Sequence, residues 1–424
     1  MTNSLIIQKA TIVLEGNQWN GKSVDIYIEN GVIKQIASEI KKDNVPCFDA
    51  NGCFLSLGWF DVYSFCPDPG EDWKETLDSH SQAASHGGFT EIAAFCGTDP
   101  LPEKASTIES LIQRQEPTVV KIHPIGVASE GRNGKEMAEV YELSVAGCLA
   151  QSDGIIKSPS SSLKSKLMEY CASLNIPYLQ FPFDADLVKG AEVHEGLVSV
   201  NLGLKGIPDV SETIQLTEMI ELAKWLKVPL RILGISSEKA VNIIRNAKKE
   251  GVEIHTAVAA MNLAYTDQNL EEFDENFKVL PPLRAESDRK ALLDAVLDGT
   301  IQAIFSNHTP EDIEHKNLEF AYANFGAATF DSFFAMLFSA FNEEDLPKLV
   351  NVLTKQNRDF YGIEYPVFAE GEVANFTIFS NNKWEMIGDF VKSKSHNVLN
   401  RNKELTGRIH ATYTKNKLTH FNHE

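Results

Sequence analysis

The sequence predicts an α/β protein: a TIM-like (β/α)8 barrel with a small β-sandwich domain formed by both chain termini. Three observations carry this expectation. The first 55 residues and those after about residue 360 alternate apolar and polar side chains, as half-buried strands do. Between them, short apolar runs alternate with helical patterns, which implies a parallel sheet covered by helices. About eight such units fall within about 290 residues, which suits a closed barrel better than an open sheet.

Taken in order, SLIIQKATIVL, SVDIYIENGVIKQIA and PCFDANGCFLSLG read as strands, with turns at Glu29-Asn30-Gly31 and Asn51-Gly52. Residues 56–345 read as the barrel. Its apolar runs include TEIAAFCG, VVKIHPIGV, VPLRILGIS, EIHTAVAAM and IQAIFSN, and its helices include LKSKLMEYCASLN, ETIQLTEMIELAKWLK and EKAVNIIRNAKKEG. Residues 346–359 read as a connecting segment. Strand character returns in PVFAEGEVANFTIFS, GRIHATYTKN and KLTHF. Segments 1–55 and 360–424 are therefore expected to pair into one small β domain. No GxGxxG or Walker-type loop supports a nucleotide-binding sheet, and no internal repeat is visible.

The composition excludes several classes. The 424 residues carry 59 acidic and 39 basic side chains, a net charge of −20. Such a surface repels nucleic acid and anionic membranes, so neither is an expected partner. At 43% hydrophobic residues the chain has ample core material, and no apolar run is long enough to span a bilayer. The start, MTNSLIIQKATIVLEGNQ, does not read as a signal peptide. The six cysteines form no CxxC pair and read as reduced, buried thiols of a cytoplasmic protein.

Several segments resemble the dihydroorotases of the amidohydrolase superfamily. In order they are GWFDVYSFCPDPG, AASHGGFTEI, AQSDG, EGLVSVNLGLKGIP, NFKVLPPLR, LLDAVLDGTIQAIFSNHTP and ANFGAATFDS. The resemblance covers nearly the whole chain and implies the same barrel-plus-terminal-domain fold. It also implies zinc-dependent ring opening of dihydroorotate, but the positions that carry this chemistry have changed type. The family's D-x-H-x-H strand places two imidazoles on one face, because residues two apart project together. Here those positions match Tyr63 and Phe65. The arginine that holds the substrate carboxylate falls on Pro67, and the substrate-binding asparagine falls on Gly97. The next metal histidine matches Phe181, and the histidine of an H-I-S-T motif matches Gly234. The catalytic aspartate matches Asn307, followed by His308. Of the ligand set, the resemblance leaves only Asp153.

One carboxylate does not hold zinc, which in catalytic sites takes three protein ligands. An asparagine amide does not act as a base near neutral pH. The resemblance thus implies a degenerate member with no catalytic residue, no metal site and no cofactor. Three functional classes stay open. The first is an inactive homologue serving as a structural partner of aspartate transcarbamoylase, in a homodimer or a mixed oligomer. The second is an active dihydroorotase with a non-standard site, for instance one rebuilt from His308, Asp153 and His123. The third is a barrel that binds a small ligand. Two local expectations follow. Tyr63, Phe65 and Phe181 should meet near the barrel axis and fill the vacated site, with the Tyr63 hydroxyl bonded to Asp153. His308 should be a hydrogen-bonded loop residue.

Overall fold

The computed structural model describes residues 4–155, 158–387, 390–395 and 397–421. The terminal strands are β1 (Ser4–Ile12), β2 (Ser23–Glu29), β3 (Val32–Ala37), β4 (Cys47–Asp49) and β5 (Phe54–Leu57). The barrel follows as β6 (Trp59–Cys66), α1 (Leu77–His86), β7 (Phe89–Cys96), α2 (Ala105–Arg114), β8 (Lys121–Gly126), α3 (Val140–Val145), β9 (Ala150–Gln151), α4 (Ser161–Ser173) and β10 (Leu179–Gln180). A short ribbon, β11 (Val193–His194) and β12 (Gly206–Ile207), brackets α5 (Leu197–Leu202). The barrel resumes with α6 (Val210–Leu226), β13 (Leu230–Leu233), α7 (Glu238–Lys249), β14 (Ile254–Ala259), α8 (Ala260–Ala264), α9 (Glu286–Leu297) and β15 (Ala303–Phe305). Helices α10 (Ile313–Lys316), α11 (Phe333–Ala340), α12 (Leu346–Asn351) and α13 (Asn357–Asp359) lead to β16 (Phe376–Glu385), β17 (Glu404–Thr414) and β18 (Lys417–His420).

The eight parallel barrel strands form two arcs, β6-β7-β8-β9 and β10-β13-β14-β15. A single parallel bridge, Gln151 to Tyr178, joins them on one side. On the other side, Phe65 N–H donates to the His308 carbonyl (2.9 Å) and Ser306 N–H donates to Asp61 (2.8 Å). Helix starts are locally encoded. Thr76 caps α1 in a reciprocal box with Ser79, and Ser237 caps α7 by accepting from Ala240 N–H.

Both termini join one sheet, in the order β18-β17-β16-β5-β1-β2-β3. The far edge, β3, is hydrogen-bonded to residues 371–374, which lead into β16, so the sheet curls back over its own core. That core is aliphatic, with Ile7, Ile26, Leu55, Phe376 and Ile378 all buried.

The segment 346–359 does more than connect. It is helical, includes a π-turn at 352–356, and closes the barrel base. Arg358, fully buried, donates to the Gly58 and Thr354 carbonyls (both 2.8 Å) and to Glu91 (2.9 Å). The Asn357 amide donates to the Phe60 and Ile304 carbonyls (2.7 and 2.8 Å). The stretch between β16 and β17 leaves the sheet and crosses to the barrel: Lys392 N–H donates to Asp331 (2.8 Å) and the Asn397 amide to the Thr309 carbonyl (2.9 Å). Five of the six cysteines are buried as expected, whereas Cys47 is exposed on β4. Among the described residues, no helix is long and apolar enough to cross a membrane.

Candidate functional site

The C-terminal ends of the barrel strands define the mouth, where enzymes of this architecture place their chemistry. On β6, the alternation that would put Asp61, Tyr63 and Phe65 on one face is interrupted by a bulge between Asp61 and Ser64. The Tyr63 ring meets Phe181 edge-on, with centroids 5.2 Å apart, and Phe305 at 6.2 Å. Two of the three expected rings therefore meet. Phe65 goes elsewhere: it stacks on Phe95 of β7 at 6.3 Å. The parallel register pairs Phe65 with Phe95, so neighbouring-strand stacking wins over convergence on the axis.

The expected Tyr63–Asp153 hydrogen bond is not made. The Asp153 carboxylate accepts instead from Ala128 N–H (2.9 Å), Ser129 N–H (3.0 Å) and the Ser129 hydroxyl (2.6 Å). Burial pushes its carboxyl up, and the Ser129 and Ala128 bonds pull it back. These bonds leave the carboxylate already engaged by the loop that follows β8. Burial raises the Tyr63 phenol to about 12, against the pull of Arg132.

Arg132 is the residue that sequence reasoning missed. It lies in the Gly-flanked turn after β8, and its Nε and Nη2 donate to the Asp153 carbonyl (2.9 and 2.6 Å). Its guanidinium lies 4.8 Å from the centre of the Phe95 ring. Gly154, at φ +71°, makes room for this. A β-carbon there would stand 3.0 Å from the Tyr63 hydroxyl and 3.1 Å from Arg132. The glycines of EGRNG mark a turn in the sequence, but nothing in it says that the arginine folds into the mouth.

The remaining predicted positions are structural. Gly234, at φ +78°, packs so closely that a β-carbon would lie 2.7 Å from Pro281 and 3.1 Å from Phe181. Gly97, at φ +97°, is similarly enclosed, 2.9 Å from the Pro100 carbonyl by the same measure. Pro67 is buried and accepts Glu71 N–H through its carbonyl at 2.8 Å. Asn307 adopts a left-handed conformation (φ 52°) and its amide donates to the Leu280 carbonyl at 2.9 Å.

His308 is a buried loop residue, as expected. Its Nδ1 accepts from Thr329 and Phe330 N–H (3.1 and 3.3 Å), and its ring stacks on Phe330 at 4.2 Å. Nε2 lies 3.6 Å from the Glu75 carboxylate, which also accepts from the Ser79 and Ser393 hydroxyls. The rebuilt metal cluster of His308, Asp153 and His123 does not assemble. His123 sits at the opposite end of the barrel, bonded to Glu91 at 2.9 Å, and Asp153 is held by Ser129. His80 bonds the Ser64 hydroxyl at 3.1 Å, and burial, helped by His308, holds its imidazole well below the usual range. Asp61 keeps the family's residue type. Burial lifts its carboxyl to about 7, although Ser306 donates to it through both N–H (2.8 Å) and hydroxyl (2.5 Å).

Zinc does not fit this donor set. Among the described residues, no three His, Cys, Asp or Glu side chains are grouped to hold a metal ion. A small, mainly apolar cleft of about 20 Å³ remains beside the rings, bounded by Phe181, Phe183, Pro281 and Pro282. At its polar edge Arg284 pairs with Glu212 (3.1 Å), and both are nearly fully buried.

Comparison with known proteins places this geometry. A family model described as Dihydro-orotase-like matches residues 55–226. The chain is 32% identical to a dihydroorotase of Acetivibrio thermocellus, over 96% of this chain and 97% of that protein. The chain belongs to the dihydroorotase family. Dihydroorotases of Geobacter metallireducens and Pelobacter propionicus are 32% and 30% identical, over 93% and 98% of this chain and 94% and 99% of theirs. In structure, the chain is similar to the L-hydantoinase (dihydropyrimidinase) of Arthrobacter aurescens, with a TM-score of 0.83 at 17% identity, covering 98% of this chain and 95% of that one. A D-hydantoinase structure gives 0.81 at 17% identity, covering 98% and 94%. These likenesses show the amidohydrolase barrel fold with its terminal sheet.

Proposed function

We propose that this dihydroorotase-family protein serves pyrimidine metabolism without hydrolysing dihydroorotate, as a structural partner of aspartate transcarbamoylase. The observation that supports this most directly is the mouth itself. At the family's histidine positions, Tyr63 and Phe181 pack ring against ring, and Phe65 stacks on Phe95. A metal-activated water needs a set of lone-pair donors; the Phe65 and Phe181 rings supply none, and burial keeps the Tyr63 phenol neutral. A fold kept without its chemistry points to use of its shape or surface. The partner is named by the family resemblance, and the charge of −20 favours a partner with basic patches. The assembly is proposed to be a homodimer or a mixed oligomer.

Two experiments test this. Elemental analysis and dihydroorotate hydrolysis on one zinc-supplemented preparation should give no stoichiometric zinc and no turnover. The names of the relatives favour a second reading, an active dihydroorotase with a non-standard site, and zinc-dependent turnover would establish it. Sedimentation of the protein with purified aspartate transcarbamoylase, at low and physiological salt, should reveal a complex that weakens with salt. If it sediments alone under both conditions, the partnership is lost, and the cleft beside Phe181 as a ligand site becomes the leading account.

A further inference from the structure

Outward from the rings, the loops above the barrel enclose a second space. A cavity of about 380 Å³ opens between residues 183–192, the β11–β12 ribbon, and the stretches 278–280 and 321–325. The cleft beside Phe181 holds only about 20 Å³, so this is room of a different order. Its wall is one apolar cluster drawn from several of these segments. Val188, Ala191 and Ile207 are buried, and the half-buried Phe183, Leu280 and Phe325 pack against them. Tyr322, 73% exposed, lines the rim.

Both sides are fastened by hydrogen bonds to backbone carbonyls, so the space does not close by collapse. On one side, Lys278 Nζ donates to the Phe320 and Ala321 carbonyls (2.8 and 2.9 Å) and Lys316 Nζ to the Asn324 carbonyl (2.8 Å). Gly326 N–H returns to the Lys278 carbonyl at 2.9 Å. On the other side, Glu192 N–H donates to the Lys205 carbonyl (2.9 Å) and Glu195 N–H to that of Ile207 (3.1 Å). The result is apolar surface held open in a concave shape, the usual form of a small-molecule site.

The lining also limits what it takes. An apolar cavity of about 150 Å³ holds one benzene ring, so this one has room for about two fused rings. Two opposite charges, Lys278 and Glu192, belong to the lining. Burial lowers the Lys278 ammonium and Glu192 raises it, so the two charges offset each other. A ligand anion would meet Glu192 and a ligand cation Lys278, and burying an uncompensated charge is costly.

We propose that this cavity binds a neutral bicyclic aromatic molecule, with its faces against the Phe183, Leu280 and Phe325 side chains. Apolar area removed from water supplies the affinity, and the offset charges disfavour ionic analogues. The site is independent of whether the mouth hydrolyses anything.

The test is titration calorimetry of the full chain with indole, with phenol, indole-3-acetate and tryptamine for comparison. Indole should bind one saturable site with a Kd below about 1 mM. Phenol, which covers about half as much wall, and the two charged analogues should each bind about tenfold more weakly or worse. Ala321→Trp puts a ring into the rim at an exposed position. It should abolish indole binding at an unchanged melting temperature. Tyr322→Ser, also at an exposed position, should weaken binding by about threefold. If Ala321→Trp does not fold, Tyr322→Ser and the charged analogues decide. Absence of saturable heat up to about 5 mM indole, well above the expected Kd, overturns the proposal. So does undiminished binding by Ala321→Trp, or a charged analogue that binds as tightly as indole. A crystal soaked with indole should show the rings against Phe183 and Phe325, and water alone there also overturns it.

Discussion

The base and the mouth of the barrel are closed by different chemistry. At the base, buried Arg358 meets Glu91, and His123 bonds the other carboxylate oxygen. Burial alone would raise Glu91, but His123 and Arg358 hold it near 2, so it stays charged. At the mouth, where the family's chemistry calls for charge, Tyr63, Phe65, Phe95 and Phe181 fill the space with rings. Asp153, the carboxylate there, is tied to the neighbouring loop after β8. Polar groups thus hold the base together, whereas at the mouth Tyr63, Phe65 and Phe181 pack ring on ring and Gly97, Gly234 and Asn307 shape turns.

Four measurements would break or sharpen this contrast. Arg358→Met should cost about 3–5 kcal/mol in chemical denaturation, because it removes the guanidinium from the largely buried Glu91 carboxylate and from the Gly58 and Thr354 carbonyls, leaving His123 as the close partner of Glu91. A loss below about 1 kcal/mol, the scale of an exposed pair, would mean the base is not held by charge. Asp61, at the boundary of the two regions, should make stability pH-dependent. Its folded carboxyl titrates near 7, above its unfolded value. Its contribution is therefore fully present below about pH 4 and lost as pH rises through 7. The stability of Asp61→Asn relative to wild type should rise across that window by on the order of 2–4 kcal/mol. A flat difference would place the carboxyl in contact with solvent. Gly234→His, which restores the family residue type, should destabilise by about 1–3 kcal/mol, since it forces a side chain into left-handed backbone against Pro281. Melting at the wild-type temperature would show that the mouth yields easily. Phe65→His should change least. It places one imidazole beside Phe95 and leaves Tyr63, Phe181, Gly234 and Asn307 as they are, so dihydroorotate turnover should stay at background. Zinc-dependent hydrolysis in that variant would show that the site is misplaced.

The fold was legible because its signals are local. Alternation in SVDIYIE and the repeated run-then-helix pattern set element types without any long-range information. Substituted residue types were legible at the mouth for the same reason: a phenylalanine is no metal ligand in any conformation. Contacts across turns were not. Arg132 reaches Asp153 because of a glycine-rich turn whose path no pattern specifies, and Phe65 chose Phe95 through a strand register that periodicity leaves open. The segment 346–359 read as a connector because its helical signal says nothing about what Arg358 and Asn357 touch.

The crossing between β16 and β17 has a consequence for how the chain is made. Glu75 and Asp331, in the first and last loops around the mouth, both depend on backbone donors between Lys392 and Lys394. Strand β5, in turn, waits for β16 to fill its open edge. A ribosome that has released every barrel strand still holds a molecule with its rim unfastened and its terminal sheet half paired. Such pairings across more than three hundred residues form late and slowly. Until residues 376–394 emerge, the aromatic mouth is fenced only by its own loops, and the apolar edge of β5 stays open to other contacts.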